Sequence, residues 1–269
     1  MEIVGLKNII DRLNTYSLDT LPRSIILVGK EGAGKHVVSQ YISKHFNLPL
    51  LDISELLSAD LIANIYREAA LKLYLIDLRK ITEKEQNILL KLFEEPPSAA
   101  FIVLLANNSF NILPTILNRG YIVNLPAYDR IVLDSYAKSR GIHIDQKYLS
   151  TVVETPGDIE KLYTNNISLT AIRELTDKII DKVSVASFAN TLSIADKLNY
   201  KDEYDKIDLA CFLKMLAVTS YQQIADNNKT ADIVFKLTAD TIIKLADPRV
   251  NKRIAILNML GNLWKGVHE

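Results

Sequence analysis

A single cysteine, Cys211, stands in a chain of 269 residues, so neither an intrachain disulfide nor a cysteine zinc site can form. Its neighbours Leu209, Ala210, Phe212 and Leu213 follow a helical pattern, the setting of a small core residue and not of a reactive thiol. Net charge is lacking too: 32 basic residues balance 32 acidic ones, which leaves no global field to draw the molecule onto nucleic acid. Any DNA contact must then be local or shared among subunits. No apolar run reaches the length of a membrane span, and Met1 to Gly5 lacks the basic and then apolar layout of a signal peptide. The expectation is a soluble, cytoplasmic protein with no membrane partner. Internal repeats and low-complexity segments are absent, and mixed-sign runs such as Tyr200 to Lys206 read as solvated surface.

Apolar residues make up 48% of the chain, enough for a sizeable core in two or three domains. Within it, Gly29-Lys30-Glu31-Gly32-Ala33-Gly34-Lys35-His36 follows a phosphate-binding loop at every position but the last. In such a loop the glycines let successive backbone N–H groups turn inward on a phosphate, the lysine reaches the outer phosphates, and a Ser or Thr hydroxyl completes a magnesium shell. His36 takes the hydroxyl's place, and imidazole is a poor ligand for a hard ion that needs octahedral oxygen. The apolar run Ser24 to Val28 and the helical spacing from Val37 to Phe46 supply strand, loop and helix in the required order. ATP or ADP held weakly or structurally is expected, with poor provision for magnesium and none for zinc.

Ile25 to Val28, Pro49 to Asp52, Leu73 to Asp77, Phe101 to Ala106 and Tyr121 to Leu125 read as strands alternating with helices, which predicts a parallel five-stranded sheet covered on both faces. Thr82 with Glu85 forms a capping box, Ile88, Leu89, Leu92 and Phe93 share one face, and Pro96-Pro97 ends that helix. After Pro126 strand signals stop. Arg130 to Ser139, Gln146 to Val153 and Pro156 to Thr164 read as short helices. Ala171 to Val183, Ser187 to Leu198, Lys206 to Asp226, Thr230 to Ala246 and Val250 to Trp264 read as longer amphipathic ones, with Pro248 breaking the last pair. The plan is an α/β nucleotide-site domain over residues 1–126, a small helical lid domain over 127–165 and an all-helical domain over 166–269.

The second motif of a nucleotide site ends an apolar strand in an acidic pair, one carboxylate for magnesium and one to activate water. Leu73 to Lys80 supplies Asp77 alone, because Leu78 holds the second place and a leucine cannot polarise water. Asp77 reads equally as a metal acid or as a structural strand-end acid.

Gln86-Asn87-Ile88-Leu89-Leu90-Lys91 and Glu94-Glu95-Pro96-Pro97, then a strand reaching Asn107-Asn108, then Leu113-Pro114-Thr115-Ile116-Leu117-Asn118-Arg119 closely resemble the clamp-loader branch of the AAA+ proteins. The resemblance extends at motif level over roughly residues 1–165, and it implies an AAA+ phosphate-loop domain, a lid and a C-terminal oligomerisation collar. It implies that Asn107 or Asn108 is a sensor near the γ-phosphate and that Arg119 points across an interface into a neighbouring subunit's ATP. The implied partners are a motor ATPase, a clamp-opening subunit, the sliding clamp and primer-template DNA. Asn118 and Gly120 depart from the Ser and Cys that flank the family's arginine. Asp158, after Thr155-Pro156-Gly157, stands where the family has a phosphate-binding arginine, and a carboxylate there would repel a triphosphate. With His36, Leu78 and Asp158 all altered, a catalytically defective clamp-loader subunit is expected, a stator for DNA replication that supplies Arg119 in trans. The alternatives are an active AAA+ ATPase subunit and, more distantly, a metabolic phosphate-loop kinase, for which no acceptor site or arginine-rich lid is legible.

Overall fold

The computed structural model describes residues 5–141, 152–164, 169–199, 207–225, 228–245, 247 and 249–268. The chain divides into two compact units, one running to Tyr136 and including Glu154–Asp158, the other made of Ala137–Val153 and Ile159–Glu269. The boundary falls inside two helices, Arg130–Ser139 and Pro156–Thr164.

Five strands build the first unit: β1 (Ser24–Val28), β2 (Leu50–Asp52), β3 (Lys72–Asp77), β4 (Ala100–Ala106) and β5 (Tyr121–Asn124). All pair in parallel, in the order β2-β3-β4-β1-β5, as the alternating pattern predicts. Five helices interleave with them: α1 (Lys7–Leu13), α2 (Lys35–His45), α3 (Ala59–Arg67), α4 (Glu83–Glu94) and the single turn α5 (Pro114–Leu117). Every residue of β4 is buried, which is why its sequence is an unbroken apolar run and shows no alternation.

The two faces nevertheless sort by the strand's period of two. Ile25, Leu27, Phe101, Val103 and Leu105 pack with Val38 and Ile42 of α2. Ile26, Ile102 and Leu104 pack on the other face with Leu89, Leu92 and Phe93 of α4 and Ile62 and Ile65 of α3.

The entry to α4 is set by the predicted capping box. Thr82 Oγ1 accepts the Glu85 N–H at 3.4 Å, and Glu85 Oε2 accepts the Thr82 N–H at 2.6 Å. Removing the hydroxyl in Thr82→Ala is expected to lower stability by about 1 kcal/mol. The check is a lower urea midpoint with an unchanged denaturant slope.

In the second unit, α6 (Arg130–Ser139) and α7 (Pro156–Thr164) cross the boundary and are followed by α8 (Leu169–Lys182), α9 (Phe188–Leu192), α10 (Leu209–Ile224), α11 (Lys229–Leu245) and α12 (Lys252–His268). Each long helix buries one stripe: Ile172, Leu175 and Ile179 on α8, Phe212, Met215 and Leu216 on α10, Ile256, Leu260 and Leu263 on α12. That is the amphipathic signature of helices packing on one another. Trp264 adds a polar tie by donating Nε1–H to the Ala186 carbonyl at 2.9 Å.

The segment Ser187 to Leu198 is not one helix. After α9 stops at Leu192, Ser193–Lys197 forms a 3₁₀ turn and Leu198-Asn199 pairs in parallel with Ile207-Asp208, so strand pairing does recur after Pro126. Ser193 Oγ donates to the Asn190 carbonyl at 2.8 Å, a local side-chain bond of the kind that competes with the helical ladder. Likewise α10 starts at Leu209, not Lys206, because Asp208 caps it by accepting the Cys211 N–H at 2.7 Å. Cys211 itself is only half-buried, so it is not the core residue its neighbours suggest.

The predicted Gln146 to Val153 helix falls largely outside the described residues, as do Pro248 and the run Tyr200 to Lys206. Among the described residues no helix is long and apolar enough to cross a membrane.

Candidate functional site

β1 and its neighbour β4 send the chain to opposite sides, β1 toward β2 and β4 toward β5, and open parallel sheets bind ligands beyond the strand ends at such a reversal. The loop Gly29 to His36 leaves β1 at this point. Gly32 and Gly34 have φ of 77° and 91°, left-handed values that glycine adopts without strain. Gly34 directly precedes α2, so the loop delivers backbone N–H groups at a helix N-terminus, where anions are favoured. Tyr128 clasps the loop from outside by donating its hydroxyl to the Ala33 carbonyl at 2.9 Å, and burial raises its pKa to about 12.

Lys35 is buried and donates to the carbonyls of Gly29 and Lys30, the latter at 2.9 Å, and to Asn107 Oδ1 at 3.0 Å. Burial lowers its pKa, and the nearby Arg79 charge lowers it further. Of the two candidate asparagines, then, Asn107 faces the loop. Asn108 instead accepts the Asn111 N–H at 3.2 Å and shapes its own turn.

Asp77 ends β3 and is buried at 2% exposure. Its carboxylate is already engaged. Oδ1 accepts the Arg79 backbone N–H at 3.0 Å and Arg79 Nε–H at 3.1 Å, and Oδ2 accepts Arg79 Nη2–H at 2.6 Å. Burial pushes the Asp77 pKa upward, but the Arg79 hydrogen bonds outweigh it and hold the carboxyl below its ordinary value. Arg79 Nη1 also lies 3.3 Å from Glu31 Oε1, and His36 Nε2 stands 3.8 Å from Asp77 Oδ2.

Magnesium does not fit this donor set. Its acid is paired with a guanidinium, its hydroxyl is an imidazole, and Arg79 would repel a dication. Among the described residues no group of three His, Cys, Asp or Glu side chains is placed to hold a metal.

The segment before α7 closes over the loop. Gly157 N–H donates to the Gly32 carbonyl at 3.1 Å, and Lys30 pairs with Glu154. The approach is so close that a Cβ on Gly157 would lie 2.3 Å from Gly32 Cα. Asp158 has a structural part beside the charge expected of it. Its Oδ2 accepts the N–H groups of Glu154 and Thr155 and the Thr155 hydroxyl, each at 3.0 Å, while its own N–H donates to Thr155 Oγ1 at 3.3 Å. Asp158 is thus the reciprocal partner of Thr155 in a capping box at the start of α7, where its negative charge also suits the helix N-terminus.

Arg119 follows α5. Gln86, buried on α4, sets the chain leading into that turn by donating Nε2–H to the Asn111 carbonyl at 3.1 Å and accepting the Leu113 N–H at 3.0 Å. Arg119 then donates to the Thr115 carbonyl at 2.8 Å and pairs with Glu94 at 3.0 Å, its side chain still 39% exposed. Arg79, Glu94, Glu154 and Tyr128 were not singled out by the sequence reading. Only Arg79 carried a cue, being a basic residue two positions beyond the strand-end acid.

Fold and loop together define a parallel α/β domain of the phosphate-loop type. Residues 52–129 match the model of the family described as DNA polymerase III, delta subunit. That segment, from the end of β2 through β5, is similar to the family, and it contains the motifs from Gln86 to Arg119 in which the resemblance was read.

Similar solved structures include a DNA polymerase III gamma subunit-related protein of Thermotoga maritima, at 15% identity and TM-score 0.45, covering 98% of this chain and 99% of that one. A mutant RuvB of Thermotoga maritima aligns at 15% identity and TM-score 0.47 over 81% of this chain and 71% of that one. No curated protein matches the sequence.

Proposed function

We propose that the protein is a stator subunit of a DNA sliding-clamp loader, resembling the delta-prime subunit of bacterial DNA polymerase III, which hydrolyses no ATP itself and lends Arg119 to a neighbouring motor subunit. The observation that carries this reading is the contrast between the two arginines. Arg79 is committed to the chain's own buried acid Asp77, whereas Arg119 is held only by the exposed carboxylate of Glu94 and the Thr115 carbonyl. Leu78 next to Asp77 leaves no carboxylate to orient water, so the chain lacks the group that starts hydrolysis.

ATP or ADP in this reading is a structural ligand of the loop amides and Lys35. Partners are the motor subunit, a clamp-opening subunit, the sliding clamp and primer-template DNA. Ile243 and Ile254, 72% and 57% exposed on α11 and α12, are apolar side chains of the kind that assembly with sister subunits would cover.

The test is ATP turnover by the chain alone and then with the motor subunit, clamp and primed DNA. The expected result is no turnover alone, stimulated turnover in the mixture, and the same stimulation with Lys35→Ala. Turnover by the isolated chain that disappears in Lys35→Ala would make it an ATPase in its own right.

A further inference from the structure

We infer that Arg79 is a resident counter-cation standing where a phosphate-loop site would hold its metal, so that the ligand this site fits is a metal-free nucleoside polyphosphate. The inference rests on the reading of Gly29 to His36 as a nucleotide loop and goes beyond it by naming the group that balances charge there.

The placement follows from local geometry. Asp77 caps the 3₁₀ turn Leu78–Lys80 by accepting the Arg79 N–H, and that tight turn brings the side chain two positions on back over the same carboxylate. A metal in such a site joins the strand-end acid to groups at the loop. The Arg79 guanidinium makes the same span, from both oxygens of Asp77 to Glu31 in the loop.

Two further facts fit a cation that faces a ligand. The Arg79 side chain is 42% exposed while Asp77 is 3% exposed, so one edge is committed to the buried acid and the other meets only the solvent-exposed Glu31, a partner that a phosphate can displace. A guanidinium has five N–H donors in a planar fork, and that fork matches phosphate as well as carboxylate. Arg79 also shares its field with Lys35, whose ammonium it disfavours. Two neighbouring cations of this kind attract a polyanion and resist a third positive ion. A metal would have to displace an arginine tethered two residues from its acid, whereas a bare polyphosphate would not.

The experiment uses the full chain and measures ADP and ATP binding by calorimetry in EDTA and in millimolar magnesium, for wild type and Arg79→Ala. Wild-type affinity is expected to be no higher in magnesium than in EDTA, and lower for ATP, since the charge-assisted bonds of the acid are already made and magnesium withdraws the metal-free polyphosphate. Arg79→Ala is expected to bind roughly tenfold more weakly in EDTA and to recover affinity when magnesium is added, because Asp77 is then free. Wild-type affinity that rises tenfold or more with magnesium would overturn the inference.

If wild type binds neither nucleotide, the nucleotide reading fails on its own, and melting temperatures decide what Arg79 does. Arg79→Ala should then melt roughly 5 °C lower, from the buried carboxylate left unpaired, and Asp77→Asn in that background should restore most of the loss. No restoration would show that Arg79 does not balance Asp77.

Discussion

Arg119→Ala is expected to lower the ATP turnover of the assembled loader by roughly 10³-fold, because an arginine supplied across an interface neutralises charge that develops on the transferring phosphoryl group. The same change should scarcely touch the fold. Its partners are one exposed carboxylate, Glu94, and the Thr115 carbonyl, and exposed pairs contribute about 0–1 kcal/mol. Single-turnover hydrolysis with clamp and primed DNA therefore separates the chemical role from stability. Arg119→Lys should recover little, since a point charge lacks the planar fork. Unchanged turnover in Arg119→Ala would remove the central claim of the stator reading.

Gly157→Val should have the largest effect on the loop. The added Cβ would lie 2.3 Å from Gly32 Cα and 3.1 Å from the Gly32 carbonyl oxygen, and two backbones cannot yield as a flexible side-chain tip would. The segment Glu154–Asp158 must part from the loop, with an overpacking cost of about 2–3 kcal/mol. Amide hydrogen exchange should show lost protection at Gly157, whose N–H donates to Gly32, and urea unfolding should show the lower stability. Gly261→Ala is the matched control, because its Cβ would meet only Phe188 at 3.9 Å and the position lies within α12. There a gain of about 0.5–1 kcal/mol is expected from the stiffer unfolded chain. Equal stability in Gly157→Val and wild type would mean that the two backbones are not held together in solution.

The sheet was legible because each strand is a short apolar run bounded by clear breaks, and burial on both faces enforces that composition. The capping box was legible for a different reason, as its two partners sit three residues apart. What stayed hidden depends on distance in sequence or on short-range competition. Nothing near Gly32 announces that Glu154 and Gly157 will close over it, and Tyr128 meets Ala33 from 95 positions away. The helix expected from Ser187 to Leu198 followed hydrophobic spacing, which does not register Ser193 bonding to the Asn190 carbonyl or Leu198 entering a two-residue ladder. At the site, the sequence pointed to the loop, the acid and the arginine as candidates, but not to their pairings. The charge of Asp158 was visible, whereas the Thr155 and Glu154 donors that hold its carboxylate required coordinates.

The Asp77–Arg79 pair also bears on how this site could be redesigned. A serine placed at position 36 would still face an acid bound to arginine, and a glutamate placed at position 78 would stand beside an arginine already committed to Asp77. Removing Arg79 alone would strand a buried carboxylate, a step that destabilises before it enables anything. The pairing therefore acts as a lock: changes meant to seat a metal here succeed only when made together, not one residue at a time.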